Sequence, residues 1–269
     1  MTKPPVVLIH GMWMTPHSWE QWIYHYSDRG YHAIASGWPG VTTPEAIRRD
    51  PSALKGLGIK KVVDHYDGLI RGLEQPPVII GHSFGGLFTQ ILLDRGLGIA
   101  GVAIGTGPPK GVIPLPLSTL RAGFPALKNP FNKDGLAPLT PKQFQWRFTN
   151  TLGLEESNAI WREQYIPGTN RVFFDALGSP AKVDFSNPER APLLLIAGAA
   201  DHISPPALNE KILKLQQRAQ SATALKVYPG RTHFMAGMDG WEEIADDALN
   251  WALEHSAAGA SAEPAPAAP

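Results

Sequence analysis

"PPVIIGHSFGGLFTQILLDRG", residues 76–96, sets two apolar runs on either side of one serine flanked by glycines. Pro76 and Pro77 stop whatever precedes them, Val78, Ile79 and Ile80 favour a strand, and Leu87, Ile91 and Leu92 recur at helical spacing. The stretch therefore predicts strand, sharp turn and helix. Read locally, Ser83 is compatible with an ordinary helix cap. Read as Gly81-His82-Ser83-Phe84-Gly85, it matches G-x-S-x-G, a turn whose small flanking residues let a nucleophilic serine stand above a sheet.

A serine hydroxyl attacks a carbonyl only if a base takes its proton and an acid orients that base. In open parallel sheets such partners stand at the carboxyl ends of strands. Asp201 follows the apolar run "LLLIAGAA" and His233 follows "LKVYPGRT", so the chain order is Ser, Asp, His. Of the nine histidines, His233 alone sits in a loop directly after a late strand. His202 neighbours Asp201, but adjacent side chains diverge, which leaves it a loop residue. His82 is expected to point off the opposite side of the turn, as a packing group or as a support behind the residues of the site. Charge developing on a substrate oxygen needs two donors. The backbone N–H of Phe84 supplies one, and that of Met12, aimed by the turn at Gly11 in "VVLIHGMWM", supplies the other. Trp13 and Phe84 then add apolar walls.

Further out, short β-branched runs alternate with helical patterns, the signature of βαβ units. Strands are expected at 6–10, 32–36, 78–82, 99–105, 193–198 and 225–230, with helices near 18–29, 60–74, 84–95, 206–219 and 241–255. The fold class is α/β, a mostly parallel central sheet flanked by helices. From 107 to 187 the alternation fails. This segment is proline-rich and carries Phe124, Phe131, Phe144, Trp146, Phe148, Trp161, Tyr165, Phe173 and Phe174. It reads as an inserted helical cap on a core of residues 1–106 and 188–257, with Trp146 and Trp161 as candidate pocket rings. Residues 258–269, rich in Ala and Pro, read as a disordered tail.

The formal net charge of +0 and the scattered basic residues argue against a nucleic-acid partner. Cysteine is absent, which removes disulfides and thiolate sites. No run is long enough to span a bilayer, and the N-terminus has no room for a secretory signal, so a cytoplasmic setting is expected. No clustered ligands suggest a metal, and no cofactor is required. Nothing in the sequence specifies the oligomeric state.

The motifs "HGMW", "GHSFGG", "AGAADHISPP" and "GRTHF" stand in the order and approximate spacing of the α/β-hydrolase fold superfamily. Over residues 5–255 the chain resembles its capped esterase and lyase-like branch. That resemblance implies a catalytic triad of Ser83 as nucleophile, His233 as base and Asp201 as orienting acid. It also implies an oxyanion hole from the Met12 and Phe84 backbones, with residues 107–187 as the cap domain. The implied activity is that of a serine esterase, a carboxylesterase working through an acyl-enzyme. The aromatic insertion favours a small to medium apolar or aromatic ester as the small-molecule partner. Haloalkane dehalogenases and epoxide hydrolases place an aspartate where this chain has Ser83. Carbon-carbon hydrolases, hydroxynitrile lyases and ligand sensors of the same fold remain open.

Overall fold

The computed structural model describes residues 2–112, 117–119, 121, 127 and 129–260. Phe124, much of the proline-rich stretch after Val112 and the tail from 261 lie outside the described residues. Strands β1 (Val6–Ile9), β2 (Ala33–Ala35), β3 (Val78–His82), β4 (Ala100–Ile104), β7 (Leu193–Gly198) and β8 (Thr223–Tyr228) form one sheet in the order β2-β1-β3-β4-β7-β8. Every pairing in it is parallel. A mostly parallel sheet flanked by helices is thus the fold.

Alternation along the strands sorts the core into two layers. Val6, Leu8, Val78, Ile80, Val102 and Ile196 face one side, where they meet Trp22 and Tyr26 of α1 (Glu20–Asp28) and Ile244, Ala245 and Ala248 of α9 (Trp241–Ala260). Val7, Ile9, Ile79, Ala103, Leu193 and Leu195 face the other, against α3 (Ile59–Arg71), α4 (Phe84–Asp94) and α8 (Pro206–Gln216). Tyr26 and Trp22 are tied down at their polar ends: the Tyr26 hydroxyl donates to Ala245 O and Trp22 Nε1–H to Ala236 O, both at 2.8 Å. The amphipathic pattern of α3 buries Ile59, Val62, Val63, Tyr66 and Ile70 along a single stripe. A short helix not expected from the sequence, α2, spans Pro44–Arg49 behind a Thr43 cap.

Chain between β4 and β7 forms the insertion. It holds α5 (Pro141–Phe148), α6 (Leu154–Gln164), α7 (Asn170–Ala176) and a small antiparallel pair, β5 (Leu136–Ala137) with β6 (Gly168–Thr169). A capping box at Thr140 and Gln143 starts α5, with Pro141 at its first turn. Helix α9 continues to Ala260, three residues into the expected tail. Since β1 pairs with β2 on one side and β3 on the other, the strand order reverses at β1 and β3. Loops leaving the carboxyl ends of those two strands open where such sheets place their ligands.

Candidate active site

Ser83 stands at that reversal, between β3 and α4, with φ 57° and ψ −121°. A non-glycine residue with positive φ is strained, at a cost of about 1–3 kcal/mol, and persists only where its surroundings hold it. Here Ser83 N–H donates to Ile104 O, and Ser83 O accepts from Gly86 and Gly107 N–H, each at 2.9 Å. The hydroxyl makes no capping bond to α4. The ordinary capping role is therefore not taken up. Close approach is enforced on both flanks: a Cβ on Gly85 would overlap the Ile9 carbonyl, and one on Gly11 would lie 2.7 Å from Ser83 Cβ.

Asp201 and His233 come from the loops after β7 and β8 and meet in the interior. His233 Nδ1–H donates to Asp201 Oδ2 at 2.7 Å, and both side chains are fully buried. The other carboxylate oxygen accepts from Ile203 N–H (2.7 Å) and Ser204 N–H (2.9 Å), so the acid is fixed from two directions. His233 Nε2 is buried and has no hydrogen-bond partner among the described residues. An imidazole so held keeps its proton on Nδ1 and presents a lone pair on Nε2, the tautomer that can accept a hydroxyl proton.

His82 takes a specific form of the expected packing role. Its Nε2–H donates to the His233 carbonyl at 2.8 Å, and the two rings lie 4.7 Å apart. His10, at the end of β1, supports the loop that carries Met12. Its Nδ1–H donates to Gly11 O (2.9 Å), its Nε2 accepts from Trp38 N–H (3.2 Å), and its ring stacks on Trp38 at 5.2 Å. The backbone N–H groups of Met12 and Phe84 have no acceptor among the described residues. An unpaired backbone N–H can donate to an incoming negatively charged oxygen.

Burial sets the charge of both supporting histidines. It pushes the His10 imidazole down to about 4, and it pushes His82, helped by the neighbouring His233, down to about 3. In the unfolded chain both rings take a proton near pH 6.5, roughly the free value. Below that pH the unfolded state therefore binds more protons than the folded one, and stability falls as pH falls towards those depressed values. Each ring contributes a slope of up to about 1.4 kcal/mol per pH unit. Melting temperature should drop steeply from pH 6.5 to 4.5, and His82→Gln should flatten the drop. A melting temperature independent of pH across that window would contradict the neutral burial of these rings.

Trp13, with φ 68°, is the other non-glycine residue at positive φ among the described residues. Its carbonyl accepts from Ile166 N–H (3.0 Å) and its Nε1–H donates to Ala137 O (2.6 Å), both from the insertion. Its ring lies 5.8 Å from Phe148 and 5.7 Å from Phe173. Phe173 also meets Phe84 edge-on at 5.3 Å, and Phe148 meets the His233 ring at 5.1 Å. Trp13, Phe84, Phe148 and Phe173 thus form one aromatic group, which reaches the His233 ring through Phe148. Of the other candidate rings, Trp146 packs on His202 at 4.8 Å, and Trp161 stacks on Tyr165 at 5.0 Å. Residues Phe148 and Phe173 were in the expected aromatic set, but nothing in composition distinguishes them from the other rings. Among the described residues, no group of three or more His, Asp or Glu side chains is placed to hold a metal ion. No described helix is long and apolar enough to cross a membrane.

The sheet, the turn at Ser83 and the paired loops define the class, and the chain belongs to the alpha/beta hydrolase family, whose model matches residues 6–247. Its fold is similar to that of a monoacylglycerol lipase from Paleococcus ferrophilus, with a TM-score of 0.68 at 19% identity, covering 94% of this chain and 96% of that one. It is also similar to an Arabidopsis methylesterase, with a TM-score of 0.66 at 14% identity over 94% and 100% of the two chains. Tomato methylketone synthase I, solved with 2-tridecanone, gives a TM-score of 0.70 at 14% identity over 95% and 100%. No curated protein sequence matches the chain.

Proposed function

We propose that the protein is a serine hydrolase that cleaves a small to medium apolar or aromatic carboxylic ester through an acyl-enzyme. The observation that carries this reading is the fully buried Asp201–His233 pair, whose Nε2 has no partner among the described residues, together with a strained serine after β3 that makes no capping bond to α4. In the first half of the reaction Ser83 Oγ attacks the ester carbonyl while His233 Nε2 takes its proton. The oxyanion settles on the N–H groups of Met12 and Phe84, at the start of α4 where the helix dipole also favours negative charge. His233 then gives the proton to the departing alcohol. Water enters and His233 Nε2 takes a proton from it as the hydroxide bonds to the acyl carbon; the bond to Ser83 Oγ then breaks, the acid leaves, and His233 returns the proton to Ser83. Similarity in fold to a lipase and a methylesterase supports ester chemistry as the class.

Substrate size is inferred from the walls. Rings of Trp13, Phe84, Phe148 and Phe173 offer apolar faces, and Ser83 and His233 are 4% and 0% exposed, so the substrate is enclosed by the insertion when it reacts. Medium acyl and aryl esters should show lower KM than acetates, and insoluble long-chain triglyceride should be turned over hardly at all. A graded series of p-nitrophenyl esters measures this. Phe173→Ala should shift the optimum towards longer acyl chains, because it opens a wall against Phe84 and Trp13. Trp161→Ala should leave the profile in place and lower the melting temperature instead. A Phe173 variant with an unchanged profile would remove that ring from the pocket. Turnover of carbon-carbon or cyanohydrin substrates in preference to every ester would replace the reaction class while keeping the same nucleophile.

A further inference from the structure

The carboxyl end of α5 is held by both loops that carry the proposed acid and base. On the base side, the Thr232 hydroxyl donates to Phe148 O at 2.6 Å and Phe234 N–H donates to the same oxygen at 2.9 Å, one from each neighbour of His233. On the acid side, His202 Nδ1–H donates to Trp146 O at 2.8 Å, and Asn150 Nδ2–H donates to Ala200 O at 3.0 Å, again one on each side of Asp201. Helix carboxyl ends leave their last carbonyls without partners inside the helix. In α5 those of Trp146 and Phe148 are satisfied by the two loops rather than by water. Thr232, His233 and Phe148 are fully buried, so water cannot replace a lost bond there without opening the site. The Thr232 hydroxyl has one proton. Although Met238 Sδ lies 3.0 Å away, the carbonyl is the stronger acceptor and the shorter contact.

We propose that the last turn of α5 is a splint that aligns Asp201 with His233, and that Thr232 is a positioning residue acting through the Phe148 carbonyl. The inference rests on the reading of Asp201 and His233 as the acid and base. It goes further in assigning to the insertion a part in the reaction besides enclosing substrate. The base loop and the acid loop are thus held to each other through the end of α5. Phe148 meets the base side twice: its carbonyl holds the base loop, and its ring lies edge-on to His233 and beside Trp13.

Thr232→Val keeps the shape and removes the donor, and Thr232→Ser restores it. The valine variant should lose about tenfold in kcat, roughly the effect of one lost hydrogen bond in a buried network, with KM changed less than about twofold. The serine variant should recover most of that loss. Independently of turnover, the downfield proton resonance of His233 Nδ1–H should broaden through exchange in the valine variant and stay sharp in the wild type and the serine variant. If Thr232→Val fails to fold, Asn150→Ala, which releases the acid-side bond, is read the same way. A sharp resonance together with a wild-type kcat in the donor-deleted variant overturns the proposal. Resonances that follow the expected pattern in a protein that turns over no ester would uphold the splint and refute the ester reading instead.

Discussion

Ser83→Ala should give a folded protein with ester turnover at background, a loss of about 10⁶ in kcat if the triad acts as a unit in the way it does in serine proteases. The stability side of this expectation comes from the site itself. Among the described residues the Ser83 hydroxyl caps no helix and bridges no loop, while the strained backbone is held by bonds from Ser83 N–H and O that alanine retains. Melting temperature should therefore stay within a few degrees, about the shift expected from a change under 1 kcal/mol. Thermal melts and hydrolysis of an activated aryl ester test both halves together. An alanine variant with substantial residual turnover would mean that another group attacks the carbonyl.

Asp201→Asn should cost about 10⁴ in kcat, by analogy with the same replacement in serine proteases. The hydrogen bonds of Asp201 say why. One oxygen accepts from the N–H groups of Ile203 and Ser204, and those fixed donors would keep the oxygen of an asparagine facing them. The amide NH₂ would then face His233 Nδ1, which could only accept. The imidazole proton moves to Nε2, and the nitrogen needed to receive a proton from Ser83 is lost. Asp175 offers the contrast. It accepts from Ile59 N–H at the start of α3 and from Arg171, so Asp175→Asn should weaken the seating of the insertion and leave the chemistry in place. Near wild-type activity in Asp201→Asn, with Asp175→Asn inactive, would move the acid.

The sheet was legible because its strands are short β-branched runs bounded by Pro and Gly. Strand β3 begins at Val78, directly after Pro77, and β7 covers the expected 193–198. Chain order and strand ends together brought Asp201 and His233 to notice, and the structure pairs them. Other features depend on contacts between distant segments. Trp38 carries no local signal, yet it stacks on His10 and bonds to both its ring and its carbonyl. Trp146 and Phe148 lie two apart on one helix, so their side chains leave on different faces, and composition cannot say which meets His233. Thr232 adjoins His233 in "GRTHF", but only the docked α5 reveals what its hydroxyl meets. Helix α2 was missed because six residues are too few to show a period.

The most direct measurement of the central reading is the site of acylation. Wild-type protein mixed with a slowly deacylating aryl ester, quenched in acid within the burst and digested, should carry one acyl group on the peptide containing Ser83, with loss of the alcohol. Ser83→Ala treated identically should carry none, and Asp201→Asn should acylate far more slowly at the same residue. An acyl group on any other residue, or steady ester turnover with no acylated serine trapped at any time, would contradict the account.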